Sequence, residues 1–408
     1  MNILIVTENA YCGGLDSFII TLVNNWPHAE DDIILVCNAS HPGLAAIRRQ
    51  LRRPCRVLDH RHPLPWSMQE MRQNKLLRVL RFPFRLLGRQ LLFLQYLSIF
   101  RRLFDDVGAE RLLVVNGGYP AGLTCRAATV AWGMAGKRPL SIHNFHNFSQ
   151  PTRWFERPFE YAIDRLVHRY AKAMVSVSAI CAASLANRPA FRASPKLTYI
   201  PNGIEFRPAR TAPRVLRDSL GIAQDAPLCL MMGTYEARKG HEFLLRAFTR
   251  VVQNIPAARL LICGFGYPAE VERVRKAVEE SGLQAHVLLD GFREDVPDLL
   301  AASDLLLVPS QFSESFGLTI IEAMSHALPL VATRVGGMPE VLQDGCGGYL
   351  VAPDDVEDLA RRMHMLLADE NLRREQGQLG FAHFNQYFRA ERMATAYAQL
   401  LRRSEDAA

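Results

Sequence analysis

The stretch from Leu305 to Met324 constrains the fold more than any other. A short apolar run, Leu305-Leu306-Leu307-Val308, ends in the turn Pro309-Ser310 and reads as a buried strand. Phe316 to Met324 then reads as the start of a helix. Strand, loop and helix in this order build an open parallel sheet, and such sheets bind ligands at the carboxyl ends of their strands. Glu314 falls in that loop and Glu322 on the helix that follows. The backbone N–H groups of Phe316, Gly317 and Leu318 are first-turn donors, free to take an anion or a sugar oxygen. Two carboxylates flanking such donors suit a ligand with many hydroxyls and a phosphate.

The same unit recurs along the chain. Met1 to Val6 is too short for an export signal and reads as a first buried strand. The loop after it carries Gly13-Gly14 before a helix over about 15–25, and paired glycines there permit close approach of backbone to a ligand. It is not a dinucleotide fingerprint, because the third glycine is missing. Further strands are read at Ile33–Cys37, Leu112–Val115 and Ala173–Val177. Leu140-Ser141-Ile142 leads into His143-Asn144-Phe145-His146-Asn147-Phe148, read as a polar, ring-rich loop at a strand end. The turn Ile200-Pro201-Asn202-Gly203 closes a first domain, and a polar segment from Arg207 to Pro227 links it to a second. There, Leu228–Met232 precedes the loop Gly233-Thr234-Tyr235-Glu236-Ala237-Arg238-Lys239-Gly240 and a helix over about 241–253. Adjacent cations ahead of a helix start suit a diphosphate, with lysine as a point charge and arginine as a planar fork. Val287–Leu289 is followed by Gly291-Phe292-Arg293-Glu294-Asp295, and Pro329–Ala332 by Thr333-Arg334-Val335-Gly336-Gly337-Met338-Pro339-Glu340. Phe388 to Leu401 is the last amphipathic segment.

At 408 residues the chain has room for two domains, and 49% apolar with 22% charged residues is the composition of a globular protein. The eight cysteines are scattered without metal-ligand spacing, which points to a reducing, cytoplasmic setting. No acidic pair stands beside a phosphate loop, so no metal is expected. The net charge of +7 comes from arginine far more than from the six lysines. Eight basic and no acidic residues lie between Arg72 and Arg102, interleaved with leucine and phenylalanine. Arginine interrupts any transmembrane run. Residues 72–104 therefore read either as a peripheral surface for anionic lipid at the inner membrane face, broken or kinked by Pro83, or as core-packed helices with a solvated basic side. Nucleic acid is not an expected partner, since the run has no aromatic stacking platform.

Glu314 and Glu322, the Lys239-Gly240 loop, the Pro201-Asn202-Gly203 turn and the Gly336-Gly337-Met338-Pro339-Glu340 turn together resemble the retaining glycosyltransferases of family 4, including those that build lipopolysaccharide and exopolysaccharide. The resemblance implies an α/β protein of the GT-B fold, with two Rossmann-like doubly wound parallel-sheet domains facing a cleft and the C-terminal helix crossing back to the first. Residues 1–204, completed by 387–408, would bind the acceptor, and 205–386 the nucleotide sugar. The implied reaction moves a hexosyl unit from a UDP- or GDP-sugar to a hydroxyl of a glycan or lipid-linked saccharide, metal-independently and by a front-face route. A same-fold epimerase or phosphorylase, or a soluble small-molecule acceptor, is the alternative. By the same resemblance Gly13, Gly14, Arg238 and Lys239 would face the diphosphate, and Arg293 the base or phosphate. Glu322 would hold the ribose hydroxyls, and Glu314, with the amides of Phe316, Gly317 and Leu318, the donor sugar. Catalytic roles would fall to Glu314, Lys239 and His143, with His146 in reserve. Thr234 stands where the family has arginine, and Arg238, at the other end of the loop, is the candidate replacement.

Overall fold

The computed structural model describes residues 1–9, 13–61, 82–136 and 141–402. The part of the basic stretch before Phe82 therefore lies outside the described residues. The chain forms two compact units, Met1–Pro201 with the segment from Ala390 onward, and Asn202–Arg389.

The first unit is built on seven parallel strands: β1 (Asn2–Glu8), β2 (Asp32–Asn38), β3 (Arg56–His60), β4 (Arg111–Asn116), β5 (Ser141–Phe145), β6 (Ala173–Ser176) and β7 (Leu197–Tyr199). Their order across the sheet is β3-β2-β1-β4-β5-β6-β7. Its helices are α1 (Gly14–Asn24), α2 (Leu44–Gln50), α3 (Phe82–Asp106), α4 (Leu123–Met134), α5 (Arg157–Tyr170) and α6 (Ala179–Ala183). Side chains alternate along a strand, so β1 feeds two cores. Leu4 and Val6 pack with α3, α4 and α5 on one face, while Ile3 and Ile5 pack with α1 on the other. Both faces are covered, which is why the central strands read as unbroken apolar runs rather than alternating ones.

Helix α4 is buried from Leu123 to Gly133. Helix α3 lies over it through Phe93, Tyr96, Phe100 and Phe104, at the three- and four-residue spacing of one helix face. The Phe104 and Trp132 rings meet edge to face at 5.0 Å. Pro83 is the second described residue of α3, and the reading of it as a break or kink concerns residues that lie outside the described ones.

The second unit has six parallel strands: β8 (Leu228–Met232), β9 (Arg259–Cys263), β10 (Val287–Asp290), β11 (Leu305–Val308), β12 (Leu330–Thr333) and β13 (Gly348–Val351), in the order β10-β9-β8-β11-β12-β13. Helices α7 (Pro213–Ser219), α8 (His241–Asn254), α9 (Pro268–Glu280), α10 (Val296–Ala302), α11 (Leu318–Ser325), α12 (Met338–Val341), α13 (Val356–Ala368) and α14 (Glu370–Tyr387) connect and follow them. The last helix, α15 (Ala390–Arg402), belongs to the first unit, as the resemblance implies. Its Tyr397 hydroxyl accepts from Asn144 Nδ2 at 2.6 Å, and Arg402 Nη2 donates to the buried Asp31 at 2.8 Å.

Candidate active site

In each sheet the strand order reverses at one place, and the crevice outside the carboxyl ends of those two strands is the natural ligand site. In the second unit this place lies between β8 and β11. The loop after β8 carries Arg238 and Lys239, and the loop after β11 carries Glu314.

Backbone contacts fix the two loops against each other. Gln311 N–H donates to the Arg238 carbonyl at 2.8 Å. Gly240 has φ of 77°, and a Cβ there would fall 2.0 Å from the Pro309 carbonyl oxygen, so only glycine fits. Gly336 repeats this on the other side: its φ is 56°, and a Cβ would fall 2.1 Å from the Glu314 carbonyl oxygen. That oxygen accepts from Gly337 N–H at 2.8 Å. With its backbone held in this way, Glu314 turns Oε2 to Lys239 Nζ at 2.5 Å, with Arg238 Nη1 at 3.8 Å and Ser310 Oγ at 3.4 Å. Both cations expected at the phosphates thus meet at one carboxylate oxygen. Arg238 also donates to Glu236 at 2.6 Å.

Helix α11 begins after Gly317, which has φ of 97°. The N–H groups of Phe316, Gly317 and Leu318 find no acceptor among the described residues. One turn further on, Glu322 is half-buried and makes no side-chain hydrogen bond among the described residues. Burial pushes its carboxyl above the ordinary glutamate range, against the pull of Arg207. A carboxylate left without partners beside free amides fits a ligand that brings donors and acceptors of its own.

Arg293 is placed differently. Its Nε and Nη2 hold Asp295 at 2.7 and 2.5 Å, and its Nη1 holds Asp290 at 3.0 Å. These bonds to Asp295, outweighing burial, and those to Asp290 raise its pKa further. Arg293 braces the loop after β10 and is engaged on three nitrogens. The sequence reading also missed Tyr235, a buried residue whose hydroxyl lies 3.0 Å from the Ile262 carbonyl and 2.8 Å from that of Asp290, linking the loop after β8 to β9 and β10. His241 stacks on its ring at 5.2 Å, and burial, then Arg273, push that imidazole down to about 4. A tyrosine two positions after a strand-ending glycine is the only signal the sequence offers for this brace.

In the first unit the reversal lies between β1 and β4. Gly13 is extended, and a Cβ there would meet nothing within 4 Å among the described residues. Gly14 opens α1. The loop is held by Asp16, which accepts from Gly13 N–H at 3.1 Å and lies 2.9 Å from His41 Nε2. Burial alone would raise the Asp16 carboxyl, but these bonds and the His41 charge lower it. Glu8, at the end of β1, accepts from Thr124 N–H at 2.9 Å, and burial raises its carboxyl. Asn116, at the end of β4, is fully buried with neither amide atom partnered among the described residues. The sequence signal for it was an Asn ending a strand before two glycines.

His143 corrects the loop reading. It lies inside β5 rather than beyond it, and strand alternation turns its ring to the α4 side, buried, 2.9 Å from Thr129 Oγ1 and edge-on to Tyr119. Burial, then Arg126, push it down to about 3, so it is neutral. His146 is the histidine at the strand's carboxyl edge, half-buried, its ring 4.4 Å from that of Phe18. Among the described residues no group of three His, Cys, Asp or Glu side chains could hold a metal ion.

Comparison with known proteins agrees with this layout. The family model "Glycosyl transferases group 1" matches residues 214–382. The N-acetyl-alpha-D-glucosaminyl L-malate synthase of Bacillus anthracis is 34% identical over 182 residues, 45% of this chain and 47% of that protein. The lipopolysaccharide core biosynthesis glycosyltransferase LpsE of Rhizobium meliloti is 31% identical over 45% of this chain and 52% of its own length. The chain thus spans about half the length of these curated relatives. The crystal structure of Anabaena HepE in complex with UDP superposes with a TM-score of 0.75 at 20% identity, covering 98% of this chain and 99% of the other. That likeness shows the fold, the GT-B architecture of two parallel-sheet units.

Proposed function

We propose, from the premise that this chain has the GT-B fold and that its residues 214–382 belong to the group 1 glycosyl transferases, that it transfers a glycosyl group from a nucleotide sugar to an acceptor hydroxyl with retention. The observation that carries this reading is the convergence of Lys239 and Arg238 on Glu314, beside the unpaired amides of the α11 first turn. When the donor arrives, its diphosphate takes the place of Glu314 as partner of the two cations. Glu314 is then released to accept from the sugar hydroxyls, and Glu322 from those of the ribose. As the bond from the anomeric carbon to the phosphate oxygen breaks, negative charge grows on the diphosphate, and fixed cations and amide dipoles stabilise it without reorganising. The acceptor oxygen forms the new bond on the same face, and its proton passes to the departing phosphate oxygen.

The first unit presents the acceptor, with polar atoms of Asn116 and His146 that have no partner among the described residues. Buried His143 supports that edge from within. A saccharide of the cell envelope fits as acceptor. The name of the Rhizobium meliloti relative, a lipopolysaccharide core enzyme, supports that class, as do the basic residues of 72–104, which suit a lipid-linked substrate. Hydrolysis of UDP-, GDP- and ADP-sugars by the purified protein tests the reading, with Glu314→Ala alongside. Slow hydrolysis of one donor, lost in the variant, is expected. No turnover and no binding of any donor would refute it.

A further inference from the structure

The loop after β8 carries a carboxylate that the transfer chemistry does not use. Glu236 lies two residues before Arg238 and three before Lys239, where a bare negative charge would repel an anionic ligand. The side chain is not bare. Its Oε2 accepts from Arg238 Nε at 2.6 Å. Burial opposes its ionisation, yet neighbouring donors, then the charges of Arg238 and Lys239, outweigh burial and hold its carboxyl below the ordinary range.

Stability does not account for the pair. Glu236 and Arg238 keep 46% and 37% of their side-chain surface exposed, and ion pairs that accessible contribute little. What the pair restricts is direction. An arginine with this much exposure samples many rotamers unless its head is tied. Here the backbone is fixed first: Lys239 N–H donates to the Glu236 carbonyl at 2.9 Å, and Gln311 N–H to that of Arg238 at 2.8 Å. With Nε then on Glu236, Nη1 donates to the Ser313 carbonyl at 3.4 Å and lies 3.8 Å from Glu314 Oε2. Nη2 has no partner among the described residues. The guanidinium is planar, so the stem and one held nitrogen set the directions of the other two. Between Gly233 and Gly240 there is no second arginine, and the aim of this one side chain decides what the fork can reach.

We propose that Glu236 is a positioning residue: it holds Arg238 by Nε and so keeps the two Nη groups turned toward the anionic oxygens, those of Glu314 here and those of a diphosphate when the donor is bound. This role rests on the assignment of Lys239 and Arg238 to the donor diphosphate, and Glu236 acts through Arg238 without touching the ligand. A fork held in place loses less freedom on binding than a free one, so Glu236 gains more by orientation than its charge costs by repulsion.

A double-mutant cycle on the full chain tests the proposal, with E236Q, R238M and E236Q/R238M read in two ways. One readout is kcat/KM for donor hydrolysis, and the other is the affinity for inorganic pyrophosphate by titration calorimetry. E236Q keeps the shape of the side chain and removes its charge. It should lower both quantities about tenfold, short of the roughly hundredfold that a misplacement of about 1 Å can cost. With methionine at 238, the same change should move them less than about twofold. The thermal transition of each variant checks folding, and E236A repeats the cycle if E236Q fails that check. Three results would overturn the proposal. E236Q at or above the wild-type level would make Glu236 a bystander or a repelling charge. An equal loss in both backgrounds would mean that it acts on the loop and not through Arg238. R238M as active and as tightly binding as wild type would leave nothing to position. If wild type hydrolyses no donor but the pyrophosphate cycle shows the coupling, the transferase reading fails and the role of Glu236 stands. If hydrolysis proceeds and depends on Lys239 while E236Q changes nothing, the reverse holds. A wild type that binds neither pyrophosphate nor any donor overturns both.

Discussion

Replacing Lys239 with methionine removes the cation nearest Glu314 while keeping most of the side-chain volume. A unit charge 4 Å from a phosphate oxygen is worth about 4 kcal/mol at the effective dielectric of a protein surface. One preorganised donor at a developing oxyanion is typically worth about a hundred- to a thousandfold in rate. Two features of the site move the expectation to the lower end. Lys239 and Glu314 keep 19% and 15% of their side-chain surface, so solvent screens them in part, and Arg238 stays 3.8 Å from the same carboxylate oxygen. We therefore predict that K239M lowers kcat/KM for donor hydrolysis about a hundredfold, and that adding Arg238→Met costs more than the two single losses summed. Glu314, left without its cation, should repel the diphosphate and raise KM as well. Stability should hardly change, because a pair this accessible contributes about 1 kcal/mol at most. The assay is steady-state release of the nucleoside diphosphate, with the thermal transition as the folding control. A folded K239M within about threefold of wild type would refute the assignment of Lys239 to the leaving group.

Glu322 gives a prediction in which stability and function part. Its carboxyl is raised in the folded state, so the native protein holds a proton that the unfolded chain has lost, and stability falls as pH climbs above the ordinary glutamate value of 4.5. Glu322→Gln should flatten that fall and raise Tm at neutral pH while weakening nucleotide affinity about tenfold or more, as titration calorimetry would read. His143, pushed down to about 3, should keep the NMR signature of a neutral ring from neutral pH to about pH 5. The unfolded chain protonates it below 6.5, so His143 contributes a loss of stability as pH falls from there toward 3. Gly336→Ala should cost about 1–2 kcal/mol in backbone strain at its positive φ, and more in activity, because its Cβ would displace the Glu314 carbonyl; full activity would contradict the clamp.

The sheet edges were legible because they are local. An apolar run, a glycine-bearing loop and a helix start fall within about twenty residues, and Lys239, Glu314 and Glu322 could each be placed on their loop or helix from that alone. What brings Lys239 to Glu314, however, is the neighbouring of β8 and β11, and strand order is a long-range property. His143 was misplaced for a related reason: a strand buried on both faces tolerates a polar residue wherever a neighbour satisfies it, and Thr129, on a helix earlier in the chain, is what does so. The edge strand β3 gave only Val57-Leu58 between charged residues, while the short apolar run Tyr349-Leu350-Val351 of β13 went unread. Asn116 and Tyr235 looked like ordinary loop residues, since burial without a partner, or a hydroxyl lying near two distant carbonyls, exists only once the sheet is assembled.

The most direct test of the central claim is a crystal structure of the protein soaked with the nucleoside diphosphate that it binds. The account predicts the diphosphate within hydrogen-bond reach of Lys239 Nζ and of the amides of Gly317 and Leu318, the ribose hydroxyls on Glu322, and the Lys239–Glu314 contact opened. A nucleotide bound elsewhere, or bound with that contact intact, would contradict it.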